Sequence, residues 1–105
     1  MIDSALLAYV KRKLNITWND EDTNARIEEI VESAIPKMIR ILGIADPDFD
    51  FSEPGEEKTL FGAYCLYEWN HVSHEFQQNY ANDIAQVRER HELKFYAAGG
   101  DSDAE

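Results

Sequence analysis

Three groupings in the sequence carry residue types suited to chemistry. His71, His74 and Glu75 place two imidazoles at i, i+3 with a carboxylate beside them, a spacing that can serve zinc from one helix face. Zinc needs a third or fourth ligand, and His91 is the only other histidine. The H-E-x-x-H order of zinc peptidases is absent. Solvation and capping near a helix junction is therefore the expected role of the pair, with no metal. Asp46, Asp48 and Asp50 alternate as calcium-loop acids do, but the sixth position, where such a loop needs glycine, is Phe51. Cys65, the single cysteine, excludes an intramolecular disulfide and lies in the apolar stretch Tyr64–Tyr67, where an inert buried thiol is expected. On one continuous helix it would not share a face with His71. The sequence holds no G-x-S-x-G, P-loop or dinucleotide fingerprint, and its many carboxylates form no specific acid/base pair. Neither enzymatic activity nor a cofactor is expected.

These side chains must be held by something, and the bulk composition bounds it. The chain has 105 residues, enough for one domain with one modest core. It is 44% hydrophobic and 30% charged, in the range of ordinary globular proteins. The formal net charge is −11, which repels a phosphate backbone at long range and disfavours sequence-independent nucleic-acid binding. An acidic wall suits a passage through which DNA slides, and an acidic surface also suits a DNA mimic, so charge alone leaves both open. The N-terminus lacks a secretion signal pattern and no apolar run reaches the length of a membrane span, so neither secretion by that route nor a membrane partner is expected.

Hydrophobic spacing predicts an all-α fold, a small bundle of about four helices. The first covers about 3–14, with Leu6, Leu7, Val10 and Leu14 at helical spacing and Lys11, Arg12 and Lys13 in the last turn. The second covers about 20–42: Asn19 and Asp22 resemble a capping box, an apolar stripe runs from Ile27 to Leu42, and Gly43 is the stop. Pro36 inside that stripe predicts a kink near 32–36. The third covers about 56–70 and is apolar around much of its girth, so it is central or covered by another subunit. Phe76, Tyr80, Ile84 and Val87 mark a fourth helix over about 74–92, with its continuity to the third left open. Residues 1–98 form the single domain, and the acidic tail 99–105 is expected to be disordered.

Two aromatic pairs stand outside the stripes. Phe49 and Phe51 alternate with acids in the loop 43–55, where they either pin the loop to the core or form a partner-binding tip. Phe95 and Tyr96 follow the fourth helix, where they either fold back or form an adhesive arm. These four are the candidate interface residues. Packing one apolar face is expected to bring Ile30, Tyr64, Phe76 and Tyr80 into one core.

Three stretches together resemble the head–tail connector family of tailed bacteriophages: LLAYVKRKLNITWNDED at the start, ARIEEIVESAIPKMIRILGI in the second helix, and LYEWNHVSHEFQQNYANDIAQVRERHEL toward the end. The last carries the pattern F-x-x-N-Y-x-x-D-I. The resemblance runs from Leu6 to Leu93, whereas the loop DPDFDFSEPG is longer and more acidic than the family pattern. It implies a structural virion protein at the head–tail junction, assembled in the host bacterial cytoplasm. Copies would form a cyclic ring on the portal protein, extend the DNA channel without sequence-specific binding, and meet a downstream connector, stopper or tail protein. The alternative from another class is an acidic helical DNA mimic that blocks a nucleic-acid-binding protein.

Overall fold

A computed structural model describes the backbone of residues 4–97 and the side chains of residues 4–93. These residues are mostly helical, with no strand among them: α1 (Ser4–Lys13), α2 (Glu21–Ile41), α3 (Glu56–Trp69), a 3-10 turn (Ser73–Glu75), α4 (Phe76–Asn79) and α5 (Ala81–Ala97). The tail 99–105 lies outside the described residues.

In α1, Leu6 and Val10 face inward and Leu14 follows them just past the helix end. The start of α2 falls one residue later than the sequence pattern suggests. Its N-cap is Asp20, not Asn19: the Asp20 carboxylate accepts the Thr23 backbone N–H at 3.0 Å and the Thr23 hydroxyl at 2.9 Å. Asn19 instead accepts from the Asn24 side-chain amide at 2.7 Å. Ile27, Val31, Ala34 and Met38 form the buried stripe, and α2 runs unbroken through Pro36. Pro36 and Glu32 are both exposed, so the hydrogen bond that proline cannot make falls on the solvent side of the helix.

Three helices end the same way. Asn15, Gly43 and His71 take left-handed φ values of 61°, 66° and 62°. After each, the next amide reaches back to a carbonyl of the last turn: Ile16 to Lys11, Ile44 to Ile39 and Val72 to Tyr67, at 2.9–3.0 Å. This is the Schellman closure, and Ile16 and Ile44 are buried as its apolar contact. Gly43 announces it by residue type, Asn15 more weakly, and His71 least. At Gly43 a second constraint acts, because a Cβ there would stand 3.4 Å from the Arg88 guanidinium carbon. That guanidinium donates to the Arg40 and Ile41 carbonyls at 3.2 and 2.9 Å, so α5 caps the C-terminus of α2 with positive charge where the helix dipole is negative.

The apolar girth of α3 is accounted for inside one chain. Leu60 to Cys65 are six consecutive buried residues, enclosed by α1, α2 and the C-terminal helices. Gly62 allows the closest approach, since a Cβ there would lie 2.7 Å from the Tyr9 hydroxyl. Tyr9 is held by its hydrogen bond to the Lys58 carbonyl at 3.2 Å, with the Lys58 ammonium 4.6 Å from the ring centre.

Beyond α3 the chain departs from the expected single helix over 74–92. The 3-10 turn and the four-residue α4 come first, then Tyr80 (φ −114°, ψ 25°) breaks the path before α5. The Tyr80 ring stacks on Phe76 at 5.0 Å and meets Tyr67 edge-on at 5.8 Å, while Tyr64 meets Phe76 at 5.2 Å. The expected core group thus assembles, with Ile30 and Tyr80 half-buried at its margin. The last helix also runs further than expected, to Ala97.

Candidate interaction surface

The groups with reactive potential are engaged in packing and capping. Cys65 is fully buried, and desolvation, with the charge of Glu68 added, pushes its thiol up to about 12. It stays protonated at neutral pH and is a poor nucleophile. His71 occupies the left-handed position that closes α3, where its Nε2 lies 3.2 Å from Arg26 Nη2. A guanidinium only donates, so Nε2 accepts, and the lone pair a metal would take already faces a cation. The same Arg26 donates to the Trp69 carbonyl at 2.7 Å and lies 4.0 Å over the Trp69 ring. His74 is separate and exposed, 3.7 Å from Glu75. Among the described residues no group of three or more His, Cys, Asp or Glu side chains is placed to hold a metal ion. In the acidic loop, Asp46 and Asp50 each accept a backbone N–H two residues on, from Asp48 and Ser52, both at 2.9 Å. Their carboxylates shape turns there.

The loop aromatics are where the structure corrects the partner-tip alternative. Phe51 is 1% exposed and stacked on Phe61 with ring centres 4.7 Å apart, so it belongs to the core. Phe49 is half-buried, edge-on to Phe51 at 5.0 Å and to His91 at 5.8 Å. The loop has no secondary structure of its own, so burial of these rings is what fixes its path. Phe95 and Tyr96 lie within α5, whose backbone is helical through Ala97, so the segment expected to be an arm beyond the fourth helix is the end of that helix. Their side chains fall outside the described residues.

Beside Phe49, α3 and α5 are joined by an ionic cluster. Glu57 Oε2 accepts from Arg90 Nη1 at 2.9 Å and lies 2.7 Å from His91 Nε2, and Glu56 pairs with the other Arg90 nitrogen. Burial pushes the Glu57 carboxyl up. Hydrogen bonds from its own backbone amide and from His91, with the charges of Arg90 and His91, outweigh this and hold it below its ordinary 4.5. A carboxyl held low in the fold stabilises above the unfolded value, and that contribution is lost as pH falls through the folded one. Between about pH 7 and about pH 3 the wild type should therefore lose more unfolding free energy than Glu57→Gln does. Urea titrations of both proteins at the two pH values measure this, and equal losses would remove Glu57 from the acid sensitivity.

What the molecule shows outward is acidic and mostly flat. A cleft of about 170 Å³ lined by Glu56, Thr59, Leu60, Tyr80 and Asp83 is small for an organic ligand. On α2, Asp22, Glu28, Glu29 and Glu32 surround Arg26 along an open groove. Among the described residues two large apolar side chains stand out in solvent: Trp18 at 52% exposure and Leu93 at 64%. The Trp18 indole N–H donates to Thr23 in the first turn of α2 at 3.4 Å, whereas Leu93 lies five residues beyond Arg88, which caps the last turn. The 21 residues of α2 separate those two ends by roughly 30 Å. Neither Trp18 nor Leu93 was a candidate from the sequence, since an apolar residue signals a surface only once its exposure is known. No helix of the described residues is long and apolar enough to cross a membrane. Comparison with models of known families, with curated proteins and with solved structures gives no match to this chain.

Proposed function

We propose that this protein acts by binding other proteins, as a head–tail connector subunit that forms a ring on the portal vertex of a tailed bacteriophage. The three stretches between Leu6 and Leu93 that resemble the connector family support the reading. So does the placement of exposed apolar side chains at opposite ends of an elongated helical frame, which is the observation that carries self-association. A subunit that adds head to tail needs two different contact patches, and closure of such contacts makes a ring. Weak contacts multiplied around the ring give a stable assembly. The acidic exterior fits a channel through which DNA passes without adhering. In this reading the partners are further copies of the chain, the portal protein and the downstream connector, stopper or tail component, all at the head–tail junction of the virion.

The test is reconstitution. Purified protein added to DNA-filled, portal-bearing heads that lack the connector should co-sediment with them and restore tail joining. Heads that gain tails equally well without it would rule the reading out. A DNA mimic is the competing reading, favoured by the exposed acids along α2. It predicts instead a one-to-one complex with a basic partner, displaced by DNA and weakened steeply by salt.

A further inference from the structure

The two ends of the molecule differ in charge as well as in the apolar residue they expose. At the Trp18 end, α1 closes with Lys11, Arg12 and Lys13, the only run of basic residues in the chain. Lys11 donates to the Asn24 side chain, while Arg12 and Lys13 are exposed and, among the described residues, neither pairs with an acid. Chain continuity keeps them at this end, since only the short connector from Leu14 to Asp20 separates α1 from α2. Three acids of the α2 start, Asp20, Glu21 and Asp22, stand at the same end, so it is mixed in charge. The Leu93 end carries a group of exposed acids, and two of its cations are already engaged, Arg88 on the α2 carbonyls and Arg90 on Glu56 and Glu57. Glu89 and Glu92 flank Leu93 on α5, and the loop acids Asp48 and Asp50 bracket Phe49, whose ring touches His91 two residues from Leu93.

From this pairing we infer that the Trp18 end of one copy docks against the Leu93 end of the next, with Arg12 and Lys13 facing Glu89, Glu92 and the loop acids. The occupant of each end is thus a second copy of this chain, an inference that rests on the self-assembling role proposed above and names its contact. Like ends do not suit each other. Two Leu93 ends would set acid against acid, in a protein whose net charge of −11 already opposes association. Unlike ends bring an indole and a leucine together inside a rim of opposite charges, an apolar centre with a polar border. Nor can the two ends meet within one molecule, because the rigid length of α2 lies between them. The contact is therefore heterologous, with each copy offering one donor end and one acceptor end.

The experiment uses two full-length variants, Trp18→Ser and Leu93→Ser, analysed by sedimentation at a concentration where the wild type assembles. Both side chains are mostly in solvent, so each variant should keep the wild-type melting temperature and helical content. Each alone should be monomeric. Mixed in equal amounts they should form one-to-one pairs and nothing larger, because the intact Leu93 end of the first variant fits the intact Trp18 end of the second. Arg12→Glu with Lys13→Glu should weaken wild-type assembly, and lower salt should fail to rescue it. Single variants that assemble like the wild type, a mixture that stays monomeric, or a wild type that is monomeric even at millimolar concentration would each overturn the contact. The connector role is judged separately by tail joining on portal-bearing heads. An assembling protein with unaffected variants refutes the contact alone, and an intact contact without head attachment refutes the role alone.

Discussion

Replacing Phe76 with alanine should lower unfolding free energy by about 3–5 kcal/mol, visible as a fall in the urea midpoint with an unchanged slope. Phe76 is fully buried at the point where the chain turns back from α3 toward α5. Three tyrosines surround it: Tyr64 edge-on, Tyr80 stacked and Tyr67 edge-on at 5.8 Å. The cost of such a truncation depends on how far the neighbours collapse into the space. Here collapse is restrained, because the Tyr67 hydroxyl accepts from Asn79 at 3.0 Å and the Tyr64 hydroxyl reaches Glu68 at 3.4 Å. Filling the void would strain those contacts, so the loss belongs in the upper part of the range. Tyr80→Ala, at a half-buried position in the same group, should cost clearly less. A Phe76→Ala loss near zero would mean that α4 does not pack on α3 as described.

The reason Phe76 was legible in the sequence is that it opens a periodic run, and burial follows periodicity wherever the backbone follows it too. The α2 stripe Ile27, Val31, Ala34 and Met38 is the plainest case, since one face of one long helix meets the core throughout. The same reasoning overextended at Tyr80. Its spacing fits one helix from 74 to 92, but its ring stacks on Phe76 and meets Tyr67 edge-on while its backbone lies outside helical angles, and no propensity at a tyrosine announces that. Helix ends were readable where residue type dictates them, as at Gly43. Asn15 and His71 reach the same left-handed state with an apolar residue following each, and a histidine there is not a stop signal by itself. The α3–α5 cluster was out of reach for another reason. Glu57 and Arg90 stand 33 residues apart, and nothing local relates them. The exposed pair was hidden too. Trp18 and Leu93 look in sequence like any core residue beside a turn, and only the folded frame shows that they project from opposite ends.

For Phe51→Ala the expected loss is likewise about 3–5 kcal/mol, with a consequence that Phe76→Ala does not share. Phe51 is the most deeply buried residue of the loop 43–55, stacked on Phe61, which is itself fully buried in α3. Phe49 leans on Phe51 from outside and touches His91, so the two rings form a chain from core to α5. Removing Phe51 therefore takes away the support for Phe49 and, through it, one wall of the ionic cluster around Glu57. Amide hydrogen exchange should quicken across residues 45–53 and also near His91, beyond what the global loss alone explains. Phe49→Ala, which leaves the core contact in place, should cost about 1–2 kcal/mol, in keeping with the apolar area a half-buried ring hides from water. The pair of variants separates the inner ring from the outer one. A Phe51→Ala protein as stable as the wild type would refute this packing of the loop. A large stability loss with loosened exchange in the loop fixes Phe51 as the pin that holds the acidic loop against α5, where the loop acids line the end proposed to receive Arg12 and Lys13 of the neighbouring copy.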